Sequence, residues 1–202
     1  MLKTKIAVLV SGGGTNLQAL IDAEKAGIIH SGTISLVLSN KPGAYALERA
    51  RTAGIETAVV ERGSDRALFE EKIIEELDSR GIDFIVLAGF MCILSESFTA
   101  HYKDRIINVH PSLIPSFCGE GFYGLRVHEA ALAKGVKVSG ATVHFVNEIP
   151  DGGKIIMQRA VEVLEGDTPE ALQRRIMEEA EWKILPLAFE KISAMLLSEK
   201  QS

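Results

Sequence analysis

Residues 6–10 read IAVLV, 34–38 read ISLVL and 84–88 read FIVLA, and none of these runs alternates apolar with polar side chains. A strand with one wet face alternates. A strand covered on both faces is apolar throughout, so these runs predict a buried, parallel sheet. Helical patterns fall between them. Residues 16–26 form one, 45–53 form a second closed by Gly54, and 64–80 form a third. In the third, Ser64 suits the N-cap, Leu68, Phe69, Ile73 and Leu77 the apolar stripe, and Gly81 the stop. A further strand is expected at 55–60. Strands alternating with helices at this spacing specify an α/β fold with helices on both faces of a mostly parallel, twisted, Rossmann-like sheet.

The style changes after residue 110. Segments 141–146 and 155–163 read as longer strands joined by a turn at Pro150, Asp151, Gly152 and Gly153, which predicts some antiparallel pairing. The last helix opens at Thr168-Pro169-Glu170, with a capping threonine and a proline at the first helical position, and Pro186 is expected to kink it. The 202 residues contain no repeat and no long linker, so a single domain over 1–202 is expected. No apolar stretch approaches the roughly 20 residues of a membrane span, and no secretory leader is evident. The formal net charge of −5 argues against a general nucleic-acid binder. Cys92 and Cys118 match no metal or redox spacing, as expected of reduced thiols in a cytoplasmic protein.

Between the first strand and the first helix stands Ser11-Gly12-Gly13-Gly14-Thr15-Asn16. Glycines allow close approach of a ligand to the backbone, and a helix start offers free N–H groups and partial positive charge. Together they suit a phosphate. The alternative is a tight turn with no ligand. A dinucleotide is disfavoured: Leu17 stands where the third fingerprint glycine belongs, and the second strand runs into Ser39-Asn40-Lys41 without an acidic residue. A phosphate monoester fits better.

Residues 105–115, RIINVHPSLIP, pose a different problem. An apolar strand ends in Asn108 and His110, which point to the same face because strand side chains alternate. An amide and an imidazole aimed at one spot suit an oxyanion. A carboxylate partner would raise the histidine pKa above its ordinary value of about 6.5 and help move protons. Asp151, in its glycine-rich turn, is the most suggestive candidate. A strand-capping histidine and an ordinary Asp-Gly-Gly turn are the plain alternatives. A metal site built from His110, His128 and His144 has no short ligand spacing behind it. His144 reads as a core or supporting histidine, His30 and His101 as surface or helix-end residues. There is no Gly-x-Ser-x-Gly elbow for serine chemistry.

Five segments together resemble the glycinamide ribonucleotide formyltransferases, within the wider formyltransferase superfamily. They are SGGGTNLQALIDA (11–23), LSNKPGAYALERARTAGI (38–55), VLAGFMCILS (86–95), INVHPSLIP (107–115) and GATVHFVNEIPDGG (140–153). The resemblance implies formyl transfer from 10-formyltetrahydrofolate, the co-substrate, to the amine of glycinamide ribonucleotide in purine biosynthesis, with no metal. It implies Asn108, His110 and Asp151 as catalytic residues and Gly13, Gly14, Thr15 and Asn16 at the substrate phosphate. It places Glu181 at the ribonucleotide, and Met91, Cys92, Ile93, Leu94, Val146 and Glu148 at the folate. The partners it implies are small molecules, for a monomer or homodimer that binds neither nucleic acid nor membrane.

Three departures from the family pattern stand out. Many relatives carry Arg where this chain has Cys92, so a cation near the benzoyl-glutamate end of the folate is missing or comes from elsewhere. The loop SFCGEGFYGLRVHEAAL (116–132) differs from the more familiar Pro-Gly-Leu-His version, and Glu181-Trp182 replaces Glu-His. The nearest rivals are formyltetrahydrofolate deformylase, expected to carry an N-terminal regulatory domain, and methionyl-tRNA formyltransferase, expected to carry a C-terminal RNA-binding one. From another class, a non-catalytic phosphometabolite-binding module would have no need of Asn108, His110 and Asp151 together.

Overall fold

The computed structural model of the chain describes residues 3–201. Its strands are β1 (Thr4–Val10), β2 (Gly32–Ser39), β3 (Glu56–Val59), β4 (Phe84–Leu87), β5 (Ile106–His110), β6 (Val138–Phe145) and β7 (Ile155–Glu162). They form one sheet of order β3-β2-β1-β4-β5-β6-β7. The first five strands pair in parallel, and β6 and β7 are added antiparallel, as the change of style after residue 110 requires.

The helices are α1 (Thr15–Lys25), α2 (Tyr45–Thr52), α3 (Arg66–Asp78), α4 (Glu96–His101), α5 (Leu125–Lys134), α6 (Pro169–Ile176) and α7 (Trp182–Gln201). Alternate residues of each central strand enter opposite cores. Ile6, Val8 and Val10 pack with Leu17, Leu47 and Phe189 under α1, α2 and α7. Ala7 and Leu9 pack with Phe69, Ile73 and Phe98 under α3 and α4. Burial on both faces is why these strands lack polar alternation. Among the described residues no helix is long and apolar enough to cross a membrane.

Several boundaries differ from the sequence expectation. Asp65, not Ser64, caps α3; its carboxylate accepts from the N–H groups of Ala67 and Leu68 at 2.9 and 3.2 Å. That register leaves Leu68 exposed, so the buried stripe is Phe69, Ile73 and Leu77. The cap at Thr168 is as expected, its hydroxyl accepting from Ala171 N–H at 3.2 Å. Pro186, however, lies inside α7, and the irregularity falls before it, in a π-helical turn at Met177–Glu181. An extra residue in one turn rotates everything after it by about 100°.

The chain leaves β1 towards β2 and β3, then crosses to β4 on the other side. Such a reversal opens a crevice at the carboxyl ends of the two strands that flank it. The glycine loop and the segment after β4 meet there.

Candidate active site

A cleft of about 810 Å³ opens at these strand ends, lined by Asn16, by the 89–94 segment after β4, by Asn108 and His110 of β5, by most of the 146–151 connection and by Glu181. The strand that ends in an amide and an imidazole thus does so because its tip faces the cleft.

Asn108 and His110 lie on one face of β5, as alternation predicts, and the antiparallel register sets His144 of β6 directly opposite Asn108. Asn108 Nδ2 is 3.3 Å from His144 Nε2. The Asp151 carboxylate joins both histidines, with Oδ2 3.3 Å from His110 Nδ1 and Oδ1 3.5 Å from His144 Nε2. Its turn is tight. Asp151 has φ +55°, a left-handed conformation that few residues other than glycine adopt and that Asp tolerates better than most. The His144 Nδ1–H donates to the Phe145 carbonyl at 2.7 Å, which leaves Nε2 facing Asn108 and Asp151.

Burial raises the Asp151 pKa, but the hydrogen bond from His144, the charge of His110 and the Gly119 N–H at 2.9 Å outweigh it and hold the carboxyl below its usual range. For His110 the balance runs the other way. Burial lowers its pKa below the ordinary imidazole value, although Asp151 and the Phe117 carbonyl, 2.8 Å from Nε2, both favour the charged ring. The expected rise is therefore not what the resting site shows. A carboxylate partner alone does not offset the desolvation of a ring this deeply buried.

At the glycine loop, Gly14 is the N-cap of α1 with φ +73° and provides no side-chain cap, and no acidic residue stands in the first turn. The N–H groups of this turn thus point outward without a carboxylate or hydroxyl to receive them, whereas Asp65, Ser95 and Thr168 cap α3, α4 and α6. Arg49 and Ala46 of α2 hold the loop through the carbonyls of Gly13 and Gly12, at 2.8 and 3.0 Å.

Asn16 Nδ2 donates to Glu181 Oε2 at 2.7 Å. The π-helical turn carries Glu181 inward, and burial pushes its carboxyl up to about 7 against the Asn16 bond, which favours the charged form. The folded chain therefore keeps a proton that the unfolded chain releases above 4.5, and stability is lost as pH rises from there through about 7. Glu181→Gln removes this dependence. Its melting temperature should gain on that of the unsubstituted chain between about pH 5 and about pH 8. Two melting temperatures that move in parallel would mean an ordinary carboxyl.

After β4, side chains alternate inward and outward. Met91 and Ile93 are 53% and 57% exposed, while Phe90, Cys92 and Leu94 are 9%, 8% and 5% exposed. Cys92 turns inward, its sulfur 3.3 Å from Asn40 Nδ2, so the side chains most available to a ligand here are Met91 and Ile93. Glu148 is exposed and does not line the cleft, though Val146, Asn147 and Ile149 do. His144, read from the sequence as a core or supporting histidine, is 1% exposed and stands beside Asn108 and Asp151; only its place opposite Asn108 was not foreseen, because that depends on an antiparallel register. Sequence reasoning left out the 117–119 backbone, which meets His110 and Asp151, and weighed His128 only as part of a metal site; the ring is fully buried, lines the cleft, and burial lowers its pKa to about 4. Among the described residues no cluster of three or more His, Cys, Asp or Glu is arranged to hold a metal ion.

Comparison with known proteins gives this geometry a family. The formyl transferase model matches residues 4–189. Phosphoribosylglycinamide formyltransferase of Escherichia coli K12 is 44% identical over 184 residues, 90% of this chain and 84% of the relative. The trifunctional purine biosynthetic protein adenosine-3 of Bos taurus is 44% identical over 196 residues, 95% of this chain but only 18% of that longer protein. The crystal structure of glycinamide ribonucleotide transformylase 1 from Symbiobacterium toebii superposes with a TM-score of 0.88 at 42% identity, covering 95% of this chain and 88% of that one. The chain belongs to the formyl transferase family.

Proposed function

We propose that this chain transfers a formyl group from 10-formyltetrahydrofolate to the amine of glycinamide ribonucleotide. The observation that carries this reading is the Asp151 carboxylate 3.3 Å from His110, with Asn108 on the same strand face, at the floor of the cleft. The amine nitrogen attacks the formyl carbon, a C–N bond forms, and the carbonyl electron pair moves to oxygen. The Asn108 amide and the His110 ring receive that oxyanion, the ring by turning its Nε2–H from the Phe117 carbonyl to the new oxygen, whose charge favours the protonated imidazole that burial alone disfavours. Asp151, held ionised, accepts the amine proton and returns it, directly or through water, to N10 of the folate as the old C–N bond breaks. Asn108 and Asp151 both face His144, which fixes their orientation.

The phosphate lies at the start of α1, on the N–H groups of Gly13, Gly14, Thr15 and Asn16, and Glu181 meets the ribonucleotide beside Asn16. The folate lies along Met91, Ile93, Leu94 and Val146, where the exposed side chains of Met91 and Ile93 offer an apolar wall for a flat ring. An absorbance assay with a formyl-folate decides between the enzymes. Transfer that requires glycinamide ribonucleotide supports the proposal. Deformylation without the amine makes the chain a hydrolase, and no turnover makes it a binding module.

The phosphate loop has its own test. A Cβ at Gly14 would stand 2.6 Å from Ala46 Cβ, so a substitution there disturbs the packing against α2 as well. At Gly13 a Cβ meets no atom within 4 Å. Gly13→Val should leave the fold and folate binding intact and weaken ribonucleotide binding at least about tenfold, read by calorimetry with each ligand. Equal losses for both ligands would make the loop merely structural.

A further inference from the structure

We propose that Asn40 is a positioning residue that ties the phosphate loop to the folate wall, so that each ligand is felt at the other's site. The inference rests on the ligand placement proposed above and adds a residue that does not line the cleft. Neighbouring strands stand about 4.8 Å apart, so in the order β2-β1-β4 the loops after β2 and β4 are separated by roughly 10 Å. A connection between them has to pass over the end of β1.

Asn40 makes that connection. The residue before it, Ser39, is fully buried, and its hydroxyl bonds both the N–H and the carbonyl of Lys41, at 3.0 and 2.9 Å. This pins the turn out of which the Asn40 side chain reaches. The Asn40 Oδ1 accepts from the hydroxyl of Ser11, in the glycine loop, at 2.7 Å. The same hydroxyl accepts from Met91 N–H at 2.9 Å. The other end of the amide donates through Nδ2 to Cys92 Sγ at 3.3 Å. Met91 and Cys92 are consecutive, so three hydrogen bonds close a ring through the loops after β1, β2 and β4.

Both ends of the Asn40 amide and both capacities of the Ser11 hydroxyl are used, with Ser11 5% and Cys92 8% exposed. A displacement of one member therefore disturbs the others. Ser11 directly precedes the phosphate-binding glycines. Cys92 directly separates Met91 and Ile93, the two side chains turned into the cleft. The thiol at position 92 thus has an inward task, accepting from Asn40, in place of a cation facing the folate. A phosphate that orders the glycine loop also orders the Met91–Ile93 wall, and by thermodynamic reciprocity the folate does the same for the phosphate site.

The test is the coupling between ligands rather than either affinity. Calorimetric titrations use glycinamide ribonucleotide and a folate analogue with no transferable formyl group. In the unsubstituted chain, saturating ribonucleotide should tighten the analogue about fivefold or more, with the same factor in the reverse experiment. In Asn40→Ala, with an unchanged melting transition, the factor should fall to near one. Cys92→Ser, which keeps an acceptor for the Asn40 N–H, should retain the coupling, and Cys92→Ala should lose it. Independent binding in the unsubstituted chain, coupling that survives Asn40→Ala, or identical behaviour of the two Cys92 variants would each overturn the inference. If neither ligand binds the unsubstituted chain, the functional reading fails and this one falls with it.

Discussion

Asp151→Asn should lower turnover by about 100- to 1,000-fold while both ligands still bind. The substitution keeps the size of the side chain and removes the charge that His110 and His144 face at 3.3 and 3.5 Å. Two consequences can be measured separately. Asp151 is among the influences that hold the His110 pKa up against burial, so its loss should let that pKa fall further, visible in histidine NMR titrations of the two proteins. In the proposed mechanism the carboxylate and the imidazole also act on one proton and one oxyanion. The double variant with His110→Ala should then be little slower than the slower single variant. Multiplicative losses together with an unchanged His110 titration would separate the two residues and leave Asp151 as a turn residue.

How much of this site could be read from the sequence follows from the kind of signal each part sends. Asn108 and His110 were legible because an apolar strand has no packing reason to end in two polar side chains on one face. Their orientation depends only on the twofold period of a strand. The glycine loop was legible because its position between β1 and α1 is local. The parallel sheet declared itself in runs without alternation, the trace of burial on both faces. His144 was not legible as a neighbour of Asn108, since that contact is set by the antiparallel register of β6 on β5. The inward turn of Cys92 depends on Asn40, 52 positions away in sequence. The depressed His110 pKa reflects burial contributed by surrounding segments, and a pairwise argument from His110 and Asp151 alone gives the opposite sign. The position of Glu181 owes to a π-helical turn whose extra residue is not written in the helical period.

The turn that presents Asp151 leads to the second large expected effect, which comes from a methyl group. A Cβ at Gly153 would stand 1.7 Å from the Phe145 carbonyl oxygen and 2.6 Å from its carbon. Both are backbone atoms at the end of β6, and no side-chain rotation can relieve the contact. The chain must move, and the short link to Asp151 leaves few bonds to absorb the movement. Asp151 is already held at φ +55°. Its two contacts to His110 and His144 are long enough that a further displacement separates them. Misplacing a catalytic group by about 1 Å costs on the order of 100-fold, so Gly153→Ala should lower turnover at least that much. The proposed ribonucleotide phosphate site is on a different loop and should keep its affinity. Melting temperature and ribonucleotide titration, read beside single-turnover rates, distinguish a displaced turn from global unfolding. A folded Gly153→Ala protein with near-normal turnover would show that the turn can shift without carrying Asp151 with it, and that the carboxylate need not stand where the fold holds it.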